Sequence, residues 1–148
     1  MRVRLAAPSD CERLVQLFRQ LGYAIGADEL RERLLAYEES DSDLALVAEI
    51  GGEVVGAIVL HVIAPLHERG KWGRISALVV DENIRRRGIG TELLKVADDF
   101  FVGKGCDRVE LTSSDRRLEA HRFYLAKGYK IRSKHFVKRY PSARGIPE

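Results

Sequence analysis

A mixed α/β fold is predicted by three observations. Two β-rich runs, Leu44–Ile50 and Glu53–Ile63, flank Gly51-Gly52, which is a hairpin signal. A third apolar run, Arg74–Asp81, leads through a glycine-punctuated helical pattern to another β-rich run, Asp107–Thr112, which makes a strand–helix–strand unit. Finally, 148 residues with 45% apolar and 32% charged side chains describe an ordinary folded chain, read as one domain over residues 1–148.

Each element has its own signal. Arg2 to Ala6 alternates and predicts a first strand. Ser9, after Pro8 and three residues before Glu12, predicts a capping box that opens a helix. Cys11, Leu14, Val15, Phe18 and Leu21 follow at helical spacing, and Gly22 ends the run. A second helix is expected from about Asp28 to Glu38, with Leu30, Leu34 and Leu35 facing inward. The hairpin comes next, then a loop from Ala64 to Gly73 with Pro65 and Gly70. Arg74–Asp81 lacks alternation, which predicts a strand covered on both faces. Ile89, Leu93, Val96, Ala97, Phe100 and Phe101 share one face of the next helix, which Gly103 and Gly105 close. Asp107–Thr112 should run parallel to Arg74–Asp81 through a right-handed crossover. A short helix, Leu118–Lys127, stops at Gly128, and Tyr129–Val137 reads as a last strand before a loose tail.

Composition narrows the function classes. Val54 to Ala64, broken by Gly56 and His61, falls short of the ~20 apolar residues of a membrane helix. Met1 to Leu5 has neither an apolar core nor a cleavage site, so no signal peptide is expected. Cys11 and Cys106 have no disulfide or metal-ligand spacing, so no metal site is expected and a reducing cytoplasm is the expected compartment. Charge is asymmetric: residues 1–73 hold 8 Lys+Arg against 12 Asp+Glu, and residues 74–148 hold 17 against 10. The halves therefore carry −4 and +7, which suits a cationic ligand at one and a polyanionic ligand at the other. The basic half lacks the aromatic interleaving of a nucleic-acid binder, so no nucleic-acid partner is expected.

The chemistry concentrates at Arg85-Arg86-Arg87-Gly88-Ile89-Gly90-Thr91. Two glycines open a helix directly after a strand. The first N–H groups of a helix have no internal acceptor, and the helix dipole adds positive potential. With arginines at the rim, this is an anion cradle, and the ligand should carry phosphate. A P-loop would need Gly-Lys-Ser/Thr, which is missing. A dinucleotide fingerprint would need Gly or Ala at the position of Leu93.

Arg85-x-x-Gly88-x-Gly90 behind Leu78-Val79-Val80-Asp81 resembles the acetyl-coenzyme A motif of the GNAT superfamily of N-acetyltransferases. A second block, Ala120-His121-Arg122-Phe123-Tyr124 followed by Lys127-Gly128-Tyr129, resembles that family's tyrosine segment. The resemblance implies a mostly antiparallel central sheet with a splayed parallel strand pair and about four flanking helices. It implies acetyl-coenzyme A as co-substrate and a primary amine, of a small cationic molecule or a peptide, as acceptor. Backbone N–H groups from Arg86 to Thr91, rimmed by Arg85, would hold the pyrophosphate, and Leu78, Val79 and Val80 would pair with the pantetheine arm. Tyr124 matches the tyrosine proposed to protonate the leaving thiolate. Position 117, often Asn in the family, is Arg117, which suits a coenzyme phosphate. A backbone N–H at Val79 or Val80 is the expected oxyanion donor. Homodimers are common in the family. The expected general base is open among His61, Glu68, His67, His121 and a water chain, because Ile75–Val80 carries no carboxylate. Tyr23 either lines the acceptor cleft or packs. A noncatalytic acyl-coenzyme A-binding module shares the cradle and needs no base.

Overall fold

The computed structural model describes residues 1–84, 87–113, 117–132 and 135–141. They fall into two compact units, Met1–Thr112 and Ser113–Glu148.

The first unit is built on a five-stranded sheet in the order β1-β2-β3-β4-β5. Its strands are β1 (Arg2–Leu5), β2 (Asp43–Ile50), β3 (Glu53–Ile63), β4 (Lys71–Val80) and β5 (Cys106–Leu111). The first three pairings are antiparallel, and β4 with β5 is parallel. The fold is therefore the mixed, mostly antiparallel sheet expected. Three helices belong to this unit: α1 (Cys11–Gln20), α2 (Ala27–Glu38) and α3 (Ile89–Gly103).

The β2–β3 turn explains itself. Gly51 and Gly52 have φ of 59° and 81°. A two-residue turn with both central residues left-handed matches the twist of its strands, and glycine alone takes it without strain. Val47, Val54, Ala57 and Val79 form one apolar face of the sheet, which Cys11, Leu14 and Leu17 of α1 and Leu30 and Leu34 of α2 bury. On the other face, Ile89 and Leu93 of α3 close on Gly56, where a Cβ would stand 3.2 and 3.3 Å from them. Phe101 closes on Gly73 in the same way.

Three local expectations are corrected. Ser9 is not the cap: Pro8–Asp10 is a 3-10 turn, and Asp10 receives the Ala7 N–H at 2.8 Å before α1 starts at Cys11. A carboxylate is an equally good acceptor, and its pairing with Arg4 decides the competition. Leu35 is 49% exposed, because only positions 30 and 34 of α2 reach the core face. β4 is covered on both faces as expected, with Gly73 under Phe101 of α3 and Val79 against the α1–α2 layer, and Ser76 exposed. Finally, no strand forms at Tyr129–Val137 among the described residues. Alternation gives a strand its faces, but its N–H and C=O groups also need a partner strand.

The second unit contains α4 (Leu118–Ala126) and, among its described residues, no strand. Phe123, Tyr124 and Tyr129 stack in sequence, with ring centroids 5.5 Å apart at both steps. Among the described residues, no helix is long and apolar enough to cross a membrane.

Candidate active site

The parallel ladder between β4 and β5 ends at Ile75–Leu111. Beyond it, β4 continues along β3 as far as Val80. Among the described residues, residues 76–79 of β4 have no ladder partner on that edge, and a strand edge offers N–H and C=O groups to an extended ligand.

Past that edge, β4 turns into α3, and a polar clamp holds that turn. The Asp81 N–H donates to Val55 O at 2.8 Å. The Asp81 carboxylate receives the Asn83 N–H at 3.1 Å, the Arg13 guanidinium of α1, and Gln20. Arg13 also reaches Val54 O at 2.8 Å, and Gln20 accepts the Glu82 N–H at 3.0 Å. The Asn83 amide, with Arg13 and Gln20 behind it, holds this buried carboxyl below the usual range, so it stays ionised.

The turn itself is a helix start. Gly88 caps α3 in the left-handed region, with φ 74° and ψ 13°. Among the described residues, a Cβ at Gly88 would meet nothing within 4 Å. Among the described residues, Glu92 is the first bonded back, to Gly88 O at 3.0 Å, with the N–H groups of Ile89, Gly90 and Thr91 in the first turn. Ile89 is buried and anchors the turn, while Arg87 and Thr91 are exposed. Arg85 and Arg86 lie outside the described residues. Gly88 thus opens α3 where the sequence reading placed a helix start, and a helix N-terminus is chemically suited to a phosphorylated carrier.

Beside that edge, on the α1–α2 face, is a cavity of about 390 Å³. Leu14, Phe18, Tyr23, Ile25, Leu30 and Leu34 form most of its apolar wall, and Ala45, Ala57, Val59 and Ala77 form its floor. Its polar fittings are Glu29, Arg33, Tyr37 and Ser76. Glu29 and Arg33 pair across one helical turn at 2.8 Å. Burial first, and the charge of Asp43 second, raise the Tyr37 phenol, which stays protonated. The size suits a small ligand or the end of a longer one.

The predicted site residues separate clearly. Tyr23 lines the cavity. His61 sits on β3 between Asp43 and Ser76; it does not line the cavity itself but hydrogen-bonds Ser76, which does. His67 and Glu68 pair at 3.4 Å, and Glu68 pairs with Arg108 at 3.4 Å; neither residue lines the cavity. Tyr124, Arg117 and His121 belong to the second unit, where Arg117 caps α4 and accepts the His121 N–H at 3.0 Å. Burial raises the Tyr124 phenol and Arg117 opposes it. No group of His, Cys, Asp and Glu among the described residues could hold a metal ion.

Sequence reasoning missed Asp43, Ser76 and the Asp81 clamp. Asp81 had a signal, since a lone acid closing an apolar strand is a natural turn anchor. Asp43 and Ser76 had none, because strand register decides both.

A glycine-capped helix after a parallel strand pair is the arrangement expected, and comparison with known proteins names the family. Residues 11–129 match the acetyltransferase (GNAT) family. The chain belongs to that family. It is 41% identical over 87 residues to an aminoalkylphosphonate N-acetyltransferase of Salmonella typhimurium, spanning 59% of this chain and 56% of that protein. It is 36% identical over 98 residues to N-alpha-acetyltransferase 30 of Xenopus laevis, spanning 66% of this chain and 35% of that protein. The chain thus matches about half or less of the length of these relatives. A crystal structure of a GNAT family acetyltransferase from Staphylococcus aureus superposes with a TM-score of 0.77 at 25% identity, over 94% of this chain and 98% of that one.

Proposed function

We propose that this chain is an acetyl-coenzyme A-dependent N-acetyltransferase acting on a primary amine by direct attack in a ternary complex. One observation supports the reading: among the described residues the parallel β4–β5 ladder ends at Ile75, and β4 runs on to the turn where Gly88 opens α3.

In this reading the diphosphate of the carrier rests on the N–H groups of Gly88 to Thr91, with Arg85, Arg86 and Arg87 at the rim. The pantetheine arm lies along Leu78, Val79 and Val80 as an added strand. The thioester then points into a gap beside the cavity, where the acceptor amine enters. Confinement of both reactants accounts for most of the rate. The amine attacks the carbonyl carbon, the oxyanion takes an N–H of Val79 or Val80, and the thiolate leaves. Tyr124 protonates that thiolate; its raised pKa keeps the phenol proton available at neutral pH. Arg117 contacts a coenzyme phosphate. The family match runs across both compact units, which supports one functional domain over residues 1–148.

The apolar wall of the cavity and its neighbouring acids suit an amine with a short aliphatic body, either free or at a peptide end. The named relatives support that range, since one is named for an aminoalkylphosphonate and another for an α-amine.

Calorimetry with acetyl-coenzyme A, paired with thiol release on an amine panel, tests the proposal. Wild type is expected to bind the carrier and release thiol only when an amine is present. Gly90→Val puts a branched side chain where the diphosphate approaches and is expected to weaken binding by at least ~10-fold. Absence of carrier binding by folded wild type would overturn the reading.

A further inference from the structure

We infer that Ser76, His61 and Asp43 form a proton relay that draws the proton from the ammonium acceptor at the cavity floor. The inference deepens the transferase reading and rests on it.

Geometry carries the argument. His61 Nδ1 lies 2.8 Å from Asp43 Oδ1, and His61 Nε2 lies 2.6 Å from Ser76 Oγ. A carboxylate only accepts, so Nδ1 holds the proton and donates it. In the neutral ring Nε2 must then accept, so the Ser76 hydroxyl donates to it. Ser76 is also in the cavity wall, whereas His61 is not. The chain therefore has one open end, the Ser76 hydroxyl, and that end faces the proposed acceptor.

The arrangement is braced at each member. Asp43 Oδ2 receives the Ser40 hydroxyl at 3.1 Å, and Ser40 Oγ in turn accepts the Asp43 N–H at 3.0 Å. The Tyr37 ring meets the His61 ring edge-on, with centroids 6.1 Å apart. Ser76 is placed by a bulge: Val59 pairs with Ala77 and Leu60 with Ile75, which leaves Ser76 as the extra residue of β4. Bulges re-aim side chains, and this one turns a strand residue toward both the histidine and the cavity. The groups facing His61 are Asp43 on β2, Arg74 and Ser76 on β4, and Tyr37, with Arg33 one turn before it, on α2. Asp43 is the carboxylate of that set and supplies the counter-charge for an imidazolium.

The proton count closes. An N–H proton of the ammonium passes to Ser76 Oγ while the Ser76 hydroxyl proton passes to His61 Nε2. The amine is now neutral and nucleophilic, and the imidazolium is held by Asp43. After attack, Tyr124 gives its phenol proton to the departing thiolate, the second N–H proton restores the phenol, and His61 returns its proton to solvent. Ser76 touches the acceptor, whereas His61 and Asp43 act through it.

Two measurements test this. In the first, wild type, Ser76→Ala, His61→Gln and Asp43→Asn are assayed for thiol release with a strongly basic alkylamine and with methoxyamine, which is already neutral at pH 7.5. The relay predicts kcat/KM losses of about 10²-fold on the alkylamine and under ~5-fold on methoxyamine, with calorimetric affinity for acetyl-coenzyme A unchanged. Ser76→Thr, which keeps the hydroxyl, is expected to recover most of the alkylamine activity. Equal losses on both nucleophiles would overturn the relay while leaving the transferase reading intact; failure of wild type to bind the carrier would overturn that reading instead. In the second, which needs no turnover, ¹⁵N NMR of the His61 ring at pH 7.5 is expected to give a neutral Nδ1–H tautomer that Asp43→Asn loses. A neutral Nε2–H tautomer in wild type, or an acetyl group found on Ser76, would overturn the relay.

Discussion

Asp10 illustrates how much one buried carboxylate organises. Arg4 grips it with two hydrogen bonds, at 2.8 and 3.0 Å, and the Ala7 N–H adds a third at 2.8 Å. The Arg4 guanidinium first, and the Ala7 amide after it, hold this carboxyl below its usual value, against the cost of burial. A depressed folded pKa means stability that is present above the unfolded value, near 3.8, and lost as pH falls through the folded one. Asp10→Asn is therefore expected to cost about 2–3 kcal/mol at pH 7, because it leaves Arg4 half-buried with one acid fewer. Urea unfolding at pH 7 and at pH 3 checks this: the loss should shrink in acid. A loss independent of pH would contradict the account. The chain near Asp10 was only partly legible in the sequence. Ser, Asp and the acid that follows are all competent cap residues, and the long-range partner Arg4 selects among them.

At the scale of elements, the positions of helices and strands follow from local pattern, whereas their close approaches do not. Gly73 was read as the end of a loop, yet it lies within β4, under the ring of Phe101. A Cβ there would come within 2.5 Å of the ring carbons. Gly73→Ala is expected to destabilise by about 1–3 kcal/mol through overpacking, and Phe101→Leu in the same chain should recover part of the loss. Thermal unfolding of the two single variants and the double variant measures that coupling; strict additivity would refute the contact. Most other elements were readable because capping, glycine stops and periodicity act over a few residues. The β2–β3 hairpin was readable from two glycines. The expected last strand was not borne out, since alternation records only which side of a strand would be apolar.

Over the whole molecule, the charge asymmetry belongs to no single element. The −4 and +7 halves should attract a cationic acceptor and a phosphorylated carrier, respectively. Raising NaCl from about 0.05 to 0.5 M is expected to weaken acetyl-coenzyme A binding by ~3–10-fold, because the screening length shrinks to a few ångströms. Salt-independent affinity would mean that amides alone hold the phosphates.

By itself, the sequence determined the hairpin, the strand–helix–strand unit and the glycine cradle, because turns, caps and helix starts are settled within a handful of neighbouring residues. Only the tertiary structure decided what faces the cavity. With Ile50 opposite Glu53 across the turn, an unbroken ladder would put Leu60 opposite Asp43. A bulge between Ala48 and Glu49 and their partners shifts the register by one residue and brings His61 there instead. A second bulge turns Ser76 toward the same histidine. A one-residue slip moves every following side chain to the opposite face of a strand. Packing across the sheet selects that slip, and no local pattern in the chain encodes it.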